Sequence, residues 1–160
     1  MKQVHISQVK PEFRSIGVTA HRINEKLLIV GVVYRGKDII DGVVSQVTSV
    51  GLGDGIADML CESKHHGQVR IIILDEAMLP EPVSVENLWE ETEKPVLLFS
   101  KSMEVDPKYL FEYKERVVRA AGIDEDSARR VLDRIYCESG IEAIRMSDII
   151  LRNIVRLHNV

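Results

Sequence analysis

The sequence predicts an α/β protein built on a mixed five-strand sheet with helices on both faces. Three observations carry that prediction. The first third alternates apolar runs with tight turns and reads as a β-meander. The middle then switches to helical spacing between two further apolar runs. The last third is rich in amphipathic helical pattern with no strand signal.

The strands come first. Phe13 to Thr19 predicts strand one, and Leu27 to Tyr34 is a near-continuous apolar strand two. Gly36, at the first central position of Arg35-Gly36-Lys37-Asp38, predicts a tight II′ hairpin turn. Ile39 to Val50 then returns antiparallel, with a bulge or bend at Asp41-Gly42. Asp54 is read as the N-cap of a helix over 55–63 whose buried stripe is Ile56, Met59 and Leu60. Val69 to Leu74 is a short run rich in β-branched residues, as expected of a buried strand four. Pro80 and Pro82 mark an extended loop, and Ser84 caps a short helix with Val85, Leu88 and Trp89. Pro95 to Ser100 is strand five. Asp106-Pro107 predicts a helix start, with the helix running to Ala121 and stopping at Gly122. Asp124 caps a helix with Ala128, Val131, Leu132 and Ile135, and a last helix spans 145–158.

Right-handed crossovers after a three-strand meander give the strand order 3-2-1-4-5 with strand 2 antiparallel. That is a ribonuclease H-like arrangement. No repeat, low-complexity tract or long linker divides the chain, so residues 1–160 are expected to form one domain.

Composition narrows the function. The 160 residues are 45% hydrophobic and 29% charged, as in soluble globular proteins. A net charge of −4 argues against a globally basic nucleic-acid binder, while a local basic face stays open. No apolar run is long enough for a transmembrane helix, and the first residues lack a signal-peptide core. Cys61 and Cys137 stand far apart without a CxxC partner, which suits a reducing cytoplasm.

Strand four ends abruptly in Asp75-Glu76. Ligand crevices in open α/β sheets lie outside the carboxyl ends of strands, which makes Asp75 the leading site candidate. A carboxylate there can hold Mg²⁺ or Mn²⁺, or it can be an ordinary loop acid or amide cap. Glu76 could add a ligand, although strand alternation favours its pointing away. Asp54 could approach the same end, although capping is the better reading. Arg35 could touch phosphate, with an exposed turn cation as the default. Gly51, Gly53 and Gly55 match no phosphate-loop spacing. His65-His66 lack zinc-ligand partners at suitable spacing. The Arg and Glu residues over 112–134 read as solvated helix faces.

Several ordered segments carry a family resemblance. They include Gly31 to Gly36, Asp41-Gly42-Val43, Ser63 to Arg70, Ile73-Leu74-Asp75, Lys94-Pro95-Val96 and Gly140 to Asp148. The set resembles the archaeal domain-of-unknown-function family ninety-nine, relatives of endonuclease V with a ribonuclease H-like fold. The resemblance implies divalent-metal-assisted phosphodiester hydrolysis on DNA or RNA. It also implies a metal-binding Asp on strand one, where this chain reads Gly17-Val18-Thr19 with no acid. At strand four Leu74 and Asp75 match the family, and Glu76 replaces its glycine. The expectation is therefore a diverged member with a weak or vestigial metal site at Asp75, Arg35, Asp54 and Glu76 being candidate substrate contacts. It would serve as a nucleic-acid-binding or assembly module, the alternative being an active metal-dependent endonuclease. The apolar face of Ile150, Ile154 and Leu157 is expected to be at least partly buried in the fold, any remainder favouring a homodimer.

Overall fold

The computed structural model describes residues 3–101 and 110–158. Three long strands open the chain: β1 (Arg14–Ile23), β2 (Lys26–Arg35) and β3 (Ile39–Thr48). They pair antiparallel in sequence, with a bulge that leaves Asp41 unpaired between Val33↔Gly42 and Tyr34↔Ile40. Helix α1 (Leu52–Cys61) leads to β4 (Ile71–Asp75), a 3₁₀ turn (Glu76–Met78), α2 (Val85–Thr92) and β5 (Val96–Ser100). β4 lies parallel to β1 on one side and to β5 on the other. The predicted order 3-2-1-4-5 is therefore present.

The sheet then continues beyond the prediction. β6 (Leu110–Tyr113) and β7 (Arg116–Ala121) form a hairpin, and the full order is β3-β2-β1-β4-β5-β7-β6. The helix expected up to Ala121 is thus replaced by two strands, and its proposed start at Asp106-Pro107 lies outside the described residues. The reason is packing. Phe111 and Tyr113 alternate with exposed Glu112, and Val117 and Val118 are both buried, so aromatic and β-branched residues fill a pleated surface. Lys114 and Glu115 make the turn with φ of 47° and 65°, a left-handed pair without the glycine or asparagine that usually announces it.

Two apolar layers sandwich the sheet. On one face Ile16, Val18, Ile72, Leu74 and Leu98 pack under α1 and α2. On the other, Val30, Val32, Ile71, Ile73 and Phe99 pack under α3 (Glu125–Ile135) and α4 (Glu142–His158). A two-residue ribbon, β8 (Tyr136–Cys137) with β9 (Gly140–Ile141), links these last helices.

Helix α4 lies directly on β1. A Cβ on Gly17 would sit 2.4 Å from the Ala143 carbonyl carbon and 2.6 Å from the Ile144 nitrogen, so only glycine admits that approach. The stripe α4 buries is Ala143, Ile144, Ser147 and Leu151. Ile150 and Ile154 are half-buried against the same core, whereas Leu157 is 73% exposed. The expected burial therefore holds for the isoleucines and fails for Leu157, which lies beyond the sheet-covered part of the helix. None of the described helices is long and apolar enough to cross a membrane.

Candidate functional site

Asp75 ends β4, as the sequence implies. Strand alternation turns Leu74 into the α1/α2 layer and Asp75 toward α4. There it closes one side of a cavity of about 280 Å³, walled by Phe99, Arg116, Tyr136, Ile144 and Asp148. The carboxylate is 8% exposed and is not free to take a ligand. Arg116, the first residue of β7, donates from Nη1 to Oδ2 at 2.7 Å and from Nη2 to Oδ1 at 3.0 Å. Oδ1 also accepts from the Ala77 amide at 3.0 Å, which caps the 3₁₀ turn. The guanidinium lies over the Phe99 ring, 5.2 Å from its centroid.

The neighbouring strand offers no second acid. Leu74 pairs with Val18, so the next residue, Thr19, is the β1 position beside Asp75. Val18 points into the opposite layer. Thr19 is fully buried and bonds to Ser147 Oγ at 2.8 Å, while Ser147 donates to the Val30 carbonyl at 2.7 Å. A hydroxyl relay thus ties β1, β2 and α4 together at this position.

The other candidates disperse. Glu76 is half-buried in the 3₁₀ turn and accepts from the Lys101 amide at 3.2 Å, so it bridges to the end of β5. Asp54 is exposed in the first turn of α1 and faces Glu91, whose carboxyl is raised above its ordinary range by burial and by that acidic neighbour. It does not cap the helix: Gly51 holds that position without a side-chain bond, and Glu81 Oε2 accepts from the Leu52 amide instead. Arg35 ends β2, beside the start of β1 and thus at the opposite end of the sheet from Asp75. Its Nε lies 3.4 Å from Asp41 Oδ1, and Arg14 bonds to the same carboxylate. Those cations hold the Asp41 carboxyl below its usual range.

Two participants were missed in the sequence reading. The charge spacing over 112–134 puts Arg116 on a helix face, whereas it begins β7. The signal available was the alternation from Phe111 through Val118, which places it on a strand. Asp148 on α4 lines the same cavity and is paired with Arg152 at 2.8 Å.

The arrangement does not fit a divalent cation. A metal needs several oxygen donors free to converge, whereas both oxygens of Asp75 are held by a guanidinium and the β1 residue beside it, Thr19, has no carboxylate. Among the described residues, no three His, Cys, Asp or Glu side chains gather where one ion could bind them. The geometry instead makes a charge clasp between the ends of β4 and β7.

No family model matches the chain. It is similar to a UPF0215 protein of Methanosarcina mazei, 41% identical over 100 residues that cover 59% of this chain and 51% of the relative. A UPF0215 protein of Methanopyrus kandleri is 39% identical over 100 residues, covering 58% and 51%. The chain spans about half the length of the curated relatives it matches. Among solved structures, an Archaeoglobus fulgidus protein of unknown function superposes with a TM-score of 0.75 at 16% identity, covering 89% of this chain and 98% of that one. Endonuclease V of Ciona intestinalis, solved with a 24mer DNA containing an inosine followed by a ribo-adenosine, superposes with a TM-score of 0.68 at 10% identity. That match covers 90% of this chain and 86% of the enzyme. The fold is endonuclease V-like. Endonuclease V of Bacillus subtilis gives a TM-score of 0.63 at 10% identity, covering 98% and 87%. At such identities the likeness establishes architecture, and the chemistry has to be argued from the side chains.

Proposed function

We propose that this chain is a non-catalytic nucleic-acid-binding module on an endonuclease V-like scaffold, and a diverged member of the domain-of-unknown-function family ninety-nine. The observation that carries the reading is the bidentate Arg116–Asp75 pair at the switch point of the sheet. Phosphodiester hydrolysis of the implied kind needs a cation to activate water and to stabilise charge on phosphate. Here the strand-four acid on which the resemblance rests, Asp75, is spent on joining β4 to β7. The DNA-bound neighbour supports nucleic acid as the partner class.

Self-association belongs to the same reading. Val43 and Val47 on edge strand β3 and Leu157 on α4 are 49%, 61% and 73% exposed, an apolar surface suited to a second copy in a homodimer. Light scattering over a concentration series reads this directly.

The decisive test combines binding with turnover. Purified protein is titrated with inosine-containing and unmodified DNA and RNA, with Mg²⁺ and with Mn²⁺. Binding without cleavage is the expected result. Robust metal-dependent cleavage that Asp75→Ala abolishes would establish the alternative, an active endonuclease.

A further inference from the structure

A second concave site lies at the far edge of the sheet, where the parallel strands begin. The cavity measures about 630 Å³, within the range of small-ligand pockets. Its lining includes Lys10, Arg14, Arg70 and Lys94, set against the acids Glu12 and Glu93. This basic bias stands out in a chain whose net charge is −4.

Strand register creates the cluster. Ser15 pairs with Ile71, so Arg14 and Arg70 stand one residue earlier on adjacent parallel strands, joined by the Arg70 amide bonding to the Arg14 carbonyl at 2.9 Å. Ile72 pairs with Val96, and Lys94 and Arg70 each precede that pair by two residues. Three cations therefore begin β1, β4 and β5 at one level, on strands about 4.8 Å apart. Like charges set side by side in this way destabilise a sheet.

The fold relieves only one of them. Arg14 is paired with Asp41, whereas Arg70, Lys94 and Lys10 make no ion pair among the described residues. Lys94 is half-buried, and burial together with the Arg70 guanidinium pulls its ammonium below the ordinary range. Its position is set by Glu93, which closes α2 in the left-handed region at φ 62°. A non-glycine residue rarely holds that conformation. The left-handed turn thus places half-buried Lys94 beside exposed Arg70 at the wall of the cavity.

We propose that this cavity binds the phosphate group of a small phosphorylated molecule, with Arg70 and Lys94 as the anchoring cations. A phosphate monoester brings up to two negative charges to the unpaired pair, and the arginine fork matches its oxygens. The half-buried side chains of Ile6 and Phe13 supply an apolar rest for the organic part. This site does not depend on the reading of the Asp75 cavity, which lies at the other end of the same strands.

The test uses the full chain and three probes: adenosine monophosphate, ribose 5-phosphate and adenosine, with inorganic phosphate as a fourth arm. Calorimetry and amide chemical-shift mapping follow binding. Both phosphate esters should bind and should shift the Arg70 and Lys94 amides, and adenosine should not. Arg70→Met and Lys94→Met should each weaken binding about tenfold, and Arg134→Met on α3 should leave it unchanged. Both pocket variants should melt no lower than the parent without ligand, because each removes a repelling charge. Inorganic phosphate binding as tightly as the esters would restrict the site to the free ion and overturn the small-molecule assignment. Equal binding of adenosine, or no phosphate binding up to about 10 mM, overturns the proposal without any variant having to fold.

Discussion

Replacing Arg116 by methionine is the most direct probe of the charge clasp. The side chain keeps much of its contact with Phe99 and loses both bonds to Asp75. A carboxylate whose side chain is mostly buried is then left with the Ala77 amide as its only hydrogen-bond donor among the described residues. Exposed ion pairs contribute about 0.2–1 kcal/mol, and breaking a buried one costs about 3–5 kcal/mol. The side chains here are 38% exposed for Arg116 and 11% for Asp75, so the pair falls between these limits. The expected destabilisation is about 2 kcal/mol. Asp75→Asn, which keeps the shape and removes the charge, should cost a similar amount. The double variant should cost clearly less than the sum, giving a coupling of about 1–2 kcal/mol in urea denaturation. The variant also reads function: freeing Asp75 alone should not create a metal-dependent nuclease, because the adjacent β1 residue, Thr19, offers no second carboxylate. Additive single-variant costs would refute the energetic argument, and Mn²⁺-dependent cleavage by Arg116→Met would refute the chemical one.

Two other outcomes follow from contacts described above. Gly17→Ala should cost about 3 kcal/mol or more in thermal or urea unfolding, since the added methyl meets α4 backbone at 2.4–2.7 Å rather than a side chain that can turn away. On the acid side, Glu142 is held down to about 2 by the Arg145 guanidinium, with help from the Ser139 hydroxyl. Its folded-state pKa is depressed, so its contribution is full above the unfolded value near 4.5 and fades as pH falls toward 2. Glu142→Gln should lower stability at pH 7 and flatten its decline between pH 4.5 and 2, as followed by circular dichroism.

The legible part of the fold was the part whose period matches its burial. β2 and β4 are buried along nearly their whole length and read as unbroken apolar runs. The β6–β7 hairpin was illegible because its turn lacks glycine and because Glu112, Glu115, Arg116 and Arg119 mimic the charge spacing of a helix face. That error hid the partner of Asp75, since a cation on a helix face gives no reason to expect it at the sheet switch point. Asp75 does stand at the end of β4, where the abrupt end of an apolar run puts it. Asp54 was misplaced by two separate facts: the helix starts earlier, at Leu52, and the distant Glu81 side chain serves its first amide. Arg35 was legible as a hairpin cation, but only the antiparallel direction of β2 shows that it stands at the wrong end of the sheet for Asp75.

The seating of α4 on Gly17 has a consequence for how the protein is made. The Thr19–Ser147 bond spans 128 positions of chain, and the face of the sheet under α3 and α4 carries Val30, Val32, Ile71, Ile73 and Leu97. As the chain emerges from the ribosome, β1 to β5 can pair while this face has no helices to cover it. For the time needed to translate residues 125–158, an apolar wall stands open to water and to other nascent chains. At about 5–20 residues per second that interval is a few seconds. The docking of α3 and α4 closes that wall.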